Sequence, residues 1–333
     1  MSSKIILDSE EGFGIVLSGG GTHGSYEAGV IKALNEAGIK FKLAAGTSVG
    51  ALNASLISAG KIDRIVELWE NISPKKVLSF SPKIFSQGAL LNNFPLEKLM
   101  RAEIDKKATH NIINASTKLI VISCDLRNKK EIVDKEFKNY EQIIHSIMSS
   151  CAIPLVFPSH KMSGKLKEKE LENLLIDGGF VNNFPLRVAI ESGLCKTFFT
   201  TSLNVPEVEI SEDKKSNRQN LFQTGMRVLE IVFTAAYINE INEIKEKIKL
   251  ANDLKDILET RSIPANILSR KRTKKIKKLY EEYKIYEGVN IIEINPKRKL
   301  PIGVLEFSAD KAKKAIEMGY EDAKKELKNI EIV

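Results

Sequence analysis

The stretch Phe41-Lys-Leu-Ala-Ala-Gly46-Thr-Ser48-Val-Gly50-Ala-Leu-Asn-Ala54 decides how this chain is read. It holds G-x-S-x-G between an apolar run and an Ala/Leu-rich run, the pattern of a strand, a tight turn and a helix. Gly46 and Gly50 allow a turn sharp enough to push the Ser48 side chain outward at a helix start. A helix N-terminus favours negative charge, so an alkoxide developing there is stabilised. Read plainly, the same residues are a helix start capped by Thr47 or Ser48.

Working outward, Phe13–Leu17 reads as a buried strand that runs into Ser18-Gly-Gly-Gly-Thr-His-Gly24 and then a helix, Ser25–Ala37, closed by Gly38. Phe41–Ala45 is the second strand and Ser48–Ala59 its helix. Ile62–Glu70 is amphipathic, with Ile62, Ile65, Val66 and Trp69 on one face. The stretch 71–95 carries Pro, Gly, Ser and Asn and reads as loop, with Pro95 starting a short helix to Arg101. Leu119–Leu126 is the clearest strand, turned back by 127–130 into 131–133 as a hairpin. Tyr140–Cys151 is helical and Pro154 ends it. Residues 163–173 are polar, a surface loop or ribbon, and Leu174–Gly179 is a short strand entering a turn. Leu186–Ser192 is a helix and Thr197–Ser202 a strand. This alternation predicts an α/β fold with a mainly parallel central sheet covered on both faces.

The 333 residues suffice for one large α/β domain with an appendage, and 43% hydrophobic content supports a proper core. Composition shifts near Asn204. The expected division is a catalytic domain over 12–203 and a largely helical C-terminal region over 204–333. In that region Leu221–Leu258 has helical periodicity, Asn290–Ile294 is a last strand and Ser308–Leu327 a last helix. Cys124, Cys151 and Cys195 form no C-x-x-C pair, which argues against a disulfide framework or a zinc site. No apolar run approaches a membrane span, and no signal-peptide core is visible. A cytoplasmic location with peripheral membrane contact is expected. Secretion without a signal leaves no mark in a sequence.

Three stretches can form one site. In the first, Gly19, Gly20, Gly21 and Gly24, adjacent glycines let backbone N–H groups point into one concavity, an anion hole at a helix start. Acyl transfer needs such donors for the oxyanion of its tetrahedral intermediate. Gly19, Gly21 and Gly24 also satisfy G-x-G-x-x-G after a strand, the mark of a dinucleotide-binding oxidoreductase. That reading needs a carboxylate at the end of the second strand, where this chain has Ala45-Gly-Thr-Ser48. The second stretch is the serine elbow. The third is Asp177-Gly178-Gly179, at a strand end, which by itself is also an ordinary turn. A serine needs a base, and none of His23, His110, His145 and His160 sits in a late strand-end loop, where a hydrolase triad would put one. A carboxylate within reach could serve if its surroundings raise its proton affinity.

The glycine loop Gly19–Gly24, Gly46-x-Ser48-x-Gly50 and Asp177-Gly178-Gly179 stand in the order and rough spacing of the patatin-like phospholipases, which residues 12–203 resemble. The segment 149–158 also looks like the family's stretch before its Asp motif. The resemblance implies a three-layer α/β/α sandwich and a serine–aspartate dyad. Ser48 would be the nucleophile, Asp177 its base, and backbone amides around Gly20 and Gly21 the oxyanion hole. It implies deacylation of phospholipids, lysophospholipids or neutral acylglycerols through an acyl-serine, with no metal or cofactor, and in some relatives an activating protein. The chain departs from the pattern at Thr22-His23, where many relatives carry a small or apolar residue and then Arg or Lys. His23 would hold only a partial positive charge at neutral pH.

Residues 270–278, Arg-Lys-Arg-Thr-Lys-Lys-Ile-Lys-Lys, are the densest charge in a chain of net charge +8. No stacking aromatics interleave with the lysines, so nucleic acid is not the expected partner. Contact with an anionic membrane suits a lipase, and a solvated helix face is the plainer account. Beside the hydrolase stands a second class, a lipid-binding or regulatory protein on a catalytically silent fold. The intact Ser48 and Asp177 argue against it.

Overall fold

The computed structural model describes residues 5–7, 12–80, 91–114, 116–154, 156–166, 169–203, 221–259 and 270–332. Its strands are β1 (Ile5–Leu7), β2 (Phe13–Leu17), β3 (Phe41–Thr47), β4 (Ser79–Phe80), β5 (Leu91–Asn92), β6 (Lys118–Asp125), β7 (Lys130–Asp134), β8 (His160–Leu166), β9 (Lys169–Asp177), β10 (Thr197–Thr201), β11 (Asn290–Glu293) and β12 (Ile330–Ile332). Its helices are α1 (Gly24–Glu36), α2 (Val49–Ser58), α3 (Ile62–Glu70), α4 (Pro74–Val77), α5 (Phe94–Glu103), α6 (Lys106–Asn114), α7 (Tyr140–Ser150), α8 (Leu186–Glu191), α9 (Leu221–Glu259), α10 (Arg270–Tyr283) and α11 (Ala309–Leu327).

The central sheet runs β11-β10-β2-β3-β6-β9-β8, with β7 also paired to β6. From β11 to β6 every pairing is parallel, and β7, β8 and β9 pair antiparallel. Period-2 alternation splits each inner strand between two cores. From β2, Ile15 and Leu17 enter one core and Val16 the other; from β6, Leu119 and Val121 enter the first and Ile120 and Ile122 the second. The first core is covered by α1, α2, α3, α5, α6, α7 and α11, the second by α8 and α9. This is the three-layer α/β/α sandwich expected from the sequence.

Residues 163–166 and 169–173, within the stretch read as a polar loop or ribbon, belong to the antiparallel strands β8 and β9, and the short strand expected at Leu174 is the end of nine-residue β9. The helices α4 and α6 and the small β4–β5 pair lie where the sequence showed loop or no pattern. Residues 81–90, within the loop-rich stretch, lie outside the described residues, as does the expected boundary near Asn204.

Described elements beyond it join the central sheet and its cores. Strand β11 extends the central sheet beside β10, and Ile241, Ile244 and Ala251 of α9 complete one core. Helix α11 packs on α1 with backbones in contact. A Cβ on Gly29 would lie 1.9 Å from the Ile316 carbonyl oxygen, and one on Gly319 would lie 2.1 Å from that of Tyr26. No described helix is long and apolar enough to cross a membrane.

Candidate active site

Ser48 stands between the end of β3 and the start of α2 at φ 53°, ψ −123°. Among described non-glycine residues only Lys129 shares a positive φ. Such a conformation costs about 1–3 kcal/mol and persists only where its surroundings enforce it. The two glycines of the motif make the turn possible by contact. A Cβ on Gly46 would lie 2.2 Å from the Gly50 carbonyl carbon, and one on Gly50 would lie 2.3 Å from the Leu17 carbonyl oxygen. The plain reading of the motif as a helix cap does not hold. The Ser48 side chain makes no capping bond, and the Thr47 hydroxyl donates to the Asn182 carbonyl at 2.8 Å.

Strand register brings Asp177 to Ser48. Thr47 pairs with Ile122, and the next residue of β6, Ser123, pairs with Asp177. Gly178 is accordingly wedged against the Ile122 carbonyl and the Thr47 methyl, with no room for a Cβ. Both side chains are nearly buried, Ser48 6% and Asp177 1% exposed. Asp177 Oδ1 accepts the Gly179 N–H at 2.8 Å. Its Oδ2 is buried without a hydrogen bond of full geometry, and the Ser48 hydroxyl is the side-chain donor acting on the carboxyl. Burial pushes the Asp177 pKa up to about 6, against the pull of the Ser48 hydroxyl and the Gly179 amide. A carboxyl titrating there is ionised at neutral pH and still a competent proton acceptor.

One short segment holds both residues. The Ser48 N–H donates to Ser150 Oγ at 2.8 Å, the Cys151 thiol donates to the Ser48 carbonyl at 3.3 Å, and the Asp177 N–H donates to the Ala152 carbonyl at 2.9 Å. Sequence reading marked this segment without giving its residues a role. It also passed over Asn183, which is 1% exposed and donates from Nδ2 to the Gly19 carbonyl at 3.3 Å, with Oδ1 unpaired. Its only sequence signal was its nearness to Asp177-Gly-Gly.

The four glycines named for the anion hole divide in two. The Gly19 N–H donates to the Asn183 carbonyl, and that of Gly24 donates into the first turn, to Gly21 and Thr22. Those donors are taken, which corrects the expectation for Gly19 and Gly24. Both glycines are required by space instead, since a Cβ on Gly19 would meet Asn183 Oδ1 at 2.3 Å and one on Gly24 would meet Val49 Cγ2 at the same distance. The N–H groups of Gly20 and Gly21 have no partner among the described residues.

Thr22 and His23, the departure from the family pattern, tie this loop to the C-terminal region. The Thr22 hydroxyl bonds the Gly303 carbonyl, its N–H donates to the Val304 carbonyl at 2.8 Å, and His23 Nε2 bonds the Ile302 carbonyl at 2.9 Å. Burial lowers the His23 pKa, so the imidazole is neutral at pH 7 and acts as a tether.

A largely apolar cavity opens beside Ser48 and Gly21, walled by Leu52, Leu56, Ile65, Trp69, Leu96 and Met100. Leu305 and Phe307 of the C-terminal region also line it. A hydroxyl, a carboxyl titrating near neutrality, two unpaired amides and an apolar cavity are together the equipment for acyl transfer from an ester with a hydrocarbon chain. Among the described residues, no group of three or more His, Cys, Asp or Glu is placed to hold a metal ion.

No histidine bonds Ser48 or Asp177. His145 Nδ1 pairs with His160 Nε2 at 2.6 Å. His145→Ala is therefore expected to keep most ester-cleaving activity in steady-state assays. A loss of about 100-fold or more, the scale of a general base, would make the site a triad.

A family model described as patatin-like phospholipase matches residues 15–190. Triacylglycerol lipase 5 of Saccharomyces cerevisiae is 27% identical over 202 residues, 52% of this chain and 27% of that protein. The uncharacterized protein YqhO of Bacillus subtilis is 30% identical over 194 residues, 51% of this chain and 64% of that one. The chain thus spans less than two thirds of the length of either relative. Among solved structures, VipD from Legionella pneumophila aligns with a TM-score of 0.43 at 16% identity, covering 96% of this chain and 67% of that one.

Proposed function

Because this chain belongs to the patatin-like phospholipase family, we propose that it cleaves ester bonds of phospholipids or related acyl lipids, with Ser48 as nucleophile and Asp177 as base. Ser48 Oγ attacks the ester carbonyl carbon while its proton passes to Asp177. The oxyanion that forms is held by the Gly20 and Gly21 amides. Collapse of the intermediate breaks the ester C–O bond, and the leaving alcohol takes the proton from Asp177. Water then gives a proton to Asp177 and attacks the acyl-serine. Collapse frees the fatty acid and returns the proton to Ser48 Oγ. No atom is left over and no co-reactant beyond water is used.

The observation that carries this reading is the placement of a buried carboxyl beside a serine on a strained elbow, at the mouth of an apolar cavity. The test is mass spectrometry of acyl release from a mixed lipid extract, comparing the native chain with Ser48→Ala and Asp177→Asn. Fluorophosphonate labelling separates the silent lipid-binding alternative, which predicts lipid binding without a covalent adduct. The oxidoreductase alternative has little support. The end of β3 carries Thr47, whose hydroxyl is bonded to Asn182, where a ribose would need a carboxylate.

The basic tract occupies α10, where Lys274, Lys275, Lys277 and Lys278 are exposed. We propose that it meets anionic lipid, each charge contributing about 1 kcal/mol near such a surface. Neutralising these four lysines is expected to weaken co-sedimentation with phosphatidylserine vesicles at low salt. Unchanged binding would remove α10 from the membrane contact and leave the dyad untouched.

A further inference from the structure

Glu27, in the first turn of α1, is fully buried in the interior behind the cavity wall. Its Oε2 accepts from Asn53 Nδ2 at 2.8 Å. The same Nδ2 donates to the Gly24 carbonyl at 3.1 Å, and Asn53 Oδ1 accepts from Trp69 Nε1 at 3.1 Å. Glu27 Oε1 is buried with no partner. No cation among the described residues pairs with this carboxyl. Nothing in the ester-cleaving chemistry uses it, yet its bonds join three parts of the site. Gly24 closes the glycine loop, Asn53 lies on α2 just beyond Ser48, and Asn53 and Trp69 line the cavity.

We propose that Glu27 is a positioning residue that acts through Asn53 to hold the glycine loop at its working distance from Ser48. The starts of α1 and α2 are in close contact, since a Cβ on Gly24 would meet Val49, the residue after Ser48. Asn53 bridges these helices, and Glu27 fixes which way the Asn53 amide points. With its Nδ2 turned to Glu27 and Gly24, its Oδ1 is left for the Trp69 indole. If Asn53 flipped, its carbonyl would face the Gly24 carbonyl and its amide would face the Trp69 donor. The Gly20 and Gly21 amides precede the braced residue, so slack at Gly24 becomes misplacement of the donors that receive the oxyanion.

Burial favours the uncharged form of Glu27. A bare carboxylate at this depth, with a neutral amide as its partner, would lose its hydration without a compensating charge. Burial raises its pKa well above the ordinary carboxyl range, against the pull of Asn53 and the Ser18 backbone. A neutral acid also keeps charge away from the apolar wall formed in part by Asn53 and Trp69.

The inference rests on Ser48 and Asp177 being the reacting pair, and it is tested on the full chain with a long-chain p-nitrophenyl ester. Glu27→Leu is expected to lower kcat by about 10- to 100-fold, the cost of a misplacement near 1 Å, with KM changed far less. Glu27→Gln, which can still accept from Asn53, is expected to restore kcat to within about threefold of native and to leave the acid limb of the pH profile unmoved. Asn53→Leu should cost about as much as Glu27→Leu, and the double variant no more than either, as members of one network do. A Glu27→Leu enzyme with native kcat would overturn the proposal. So would a Glu27→Gln enzyme as impaired as Glu27→Leu, since the charge would then be required. If Glu27→Leu does not fold, Trp69→Phe carries the test. It removes one of the bonds that orient Asn53, and an unchanged kcat sinks the brace. Loss of hydrolysis in Ser48→Ala alongside native kcat in Glu27→Leu would sink the brace alone. Retained hydrolysis in Ser48→Ala would sink the dyad itself.

Discussion

Ser48→Ala is expected to cut acyl release by about 10⁴-fold or more, the scale seen when a serine nucleophile is deleted, while the protein stays folded. The second half of that expectation separates chemistry from structure. The residue sits at φ 53°, and alanine carries the same Cβ, so the backbone strain is unchanged. The side chain makes no capping bond to lose. Thermal midpoints of the two proteins should therefore agree within a degree or two, and the loss should fall on kcat. Intact-mass analysis after fluorophosphonate treatment should show one adduct on the native chain and none on the variant. An adduct that persists on Ser48→Ala would place the nucleophile elsewhere.

Asp177→Asn is expected to do two opposite things. It should lower acylation by a factor comparable to that of the serine variant, because an amide cannot take the Ser48 proton. It should also make the protein more stable. In the folded chain Asp177 keeps its proton up to about pH 6, whereas an unfolded aspartate releases it near the ordinary value of 3.8. Between those values the unfolded chain binds fewer protons, so stability falls as pH rises across the window and stays lost above it. The shift corresponds to about 3 kcal/mol at most. Asparagine keeps the acceptor for the Gly179 N–H and carries no charge to bury. Denaturant unfolding at pH 8 should show the gain, and the gain should vanish at pH 4. In the native enzyme the same titration puts the acid limb of kcat/KM near pH 6, with activity rising as pH rises. Equal stability of the two proteins at pH 8 would mean that the carboxyl is better solvated than its burial indicates.

The elbow could be read from sequence because its geometry leaves few residue choices. Gly46 and Gly50 are demanded by contacts with backbone on either side, so the motif is a record of close packing. The two faces of the sheet were readable in β2 and β6 because their apolar runs are buried on both sides. Asp177 was harder, since an Asp-Gly pair marks any turn, and only its combination with the glycine loop and the serine gave it weight. The Ser150–Ala152 cradle and the Glu27–Asn53–Trp69 brace stayed hidden. Each joins residues distant in sequence through single hydrogen bonds, and no local periodicity encodes such a bond. The β8–β9 pair stayed undecided between loop and ribbon because its lysines and glutamates also suit a solvated loop. The place of β11 in the central sheet was hidden for a different reason. A four-residue strand says what it is, and nothing in it says which strand it will lie against.

That placement of β11, with the seating of α11 on α1, bears on how the protein comes into being. Ribosomal synthesis delivers β2, α1, β3 and α2 well before α11, the helix that covers α1. Until then the apolar flank of α1 stays wet, and the loop bearing the Gly20 and Gly21 amides lacks the Ile302–Val304 carbonyls that anchor it. Such long-range closure is slow and leaves sticky surface on display. The nascent chain would thus hold Ser48 long before its surroundings are complete, and the proposed ester cleavage would begin only once the Ile302–Val304 stretch and α11 had emerged.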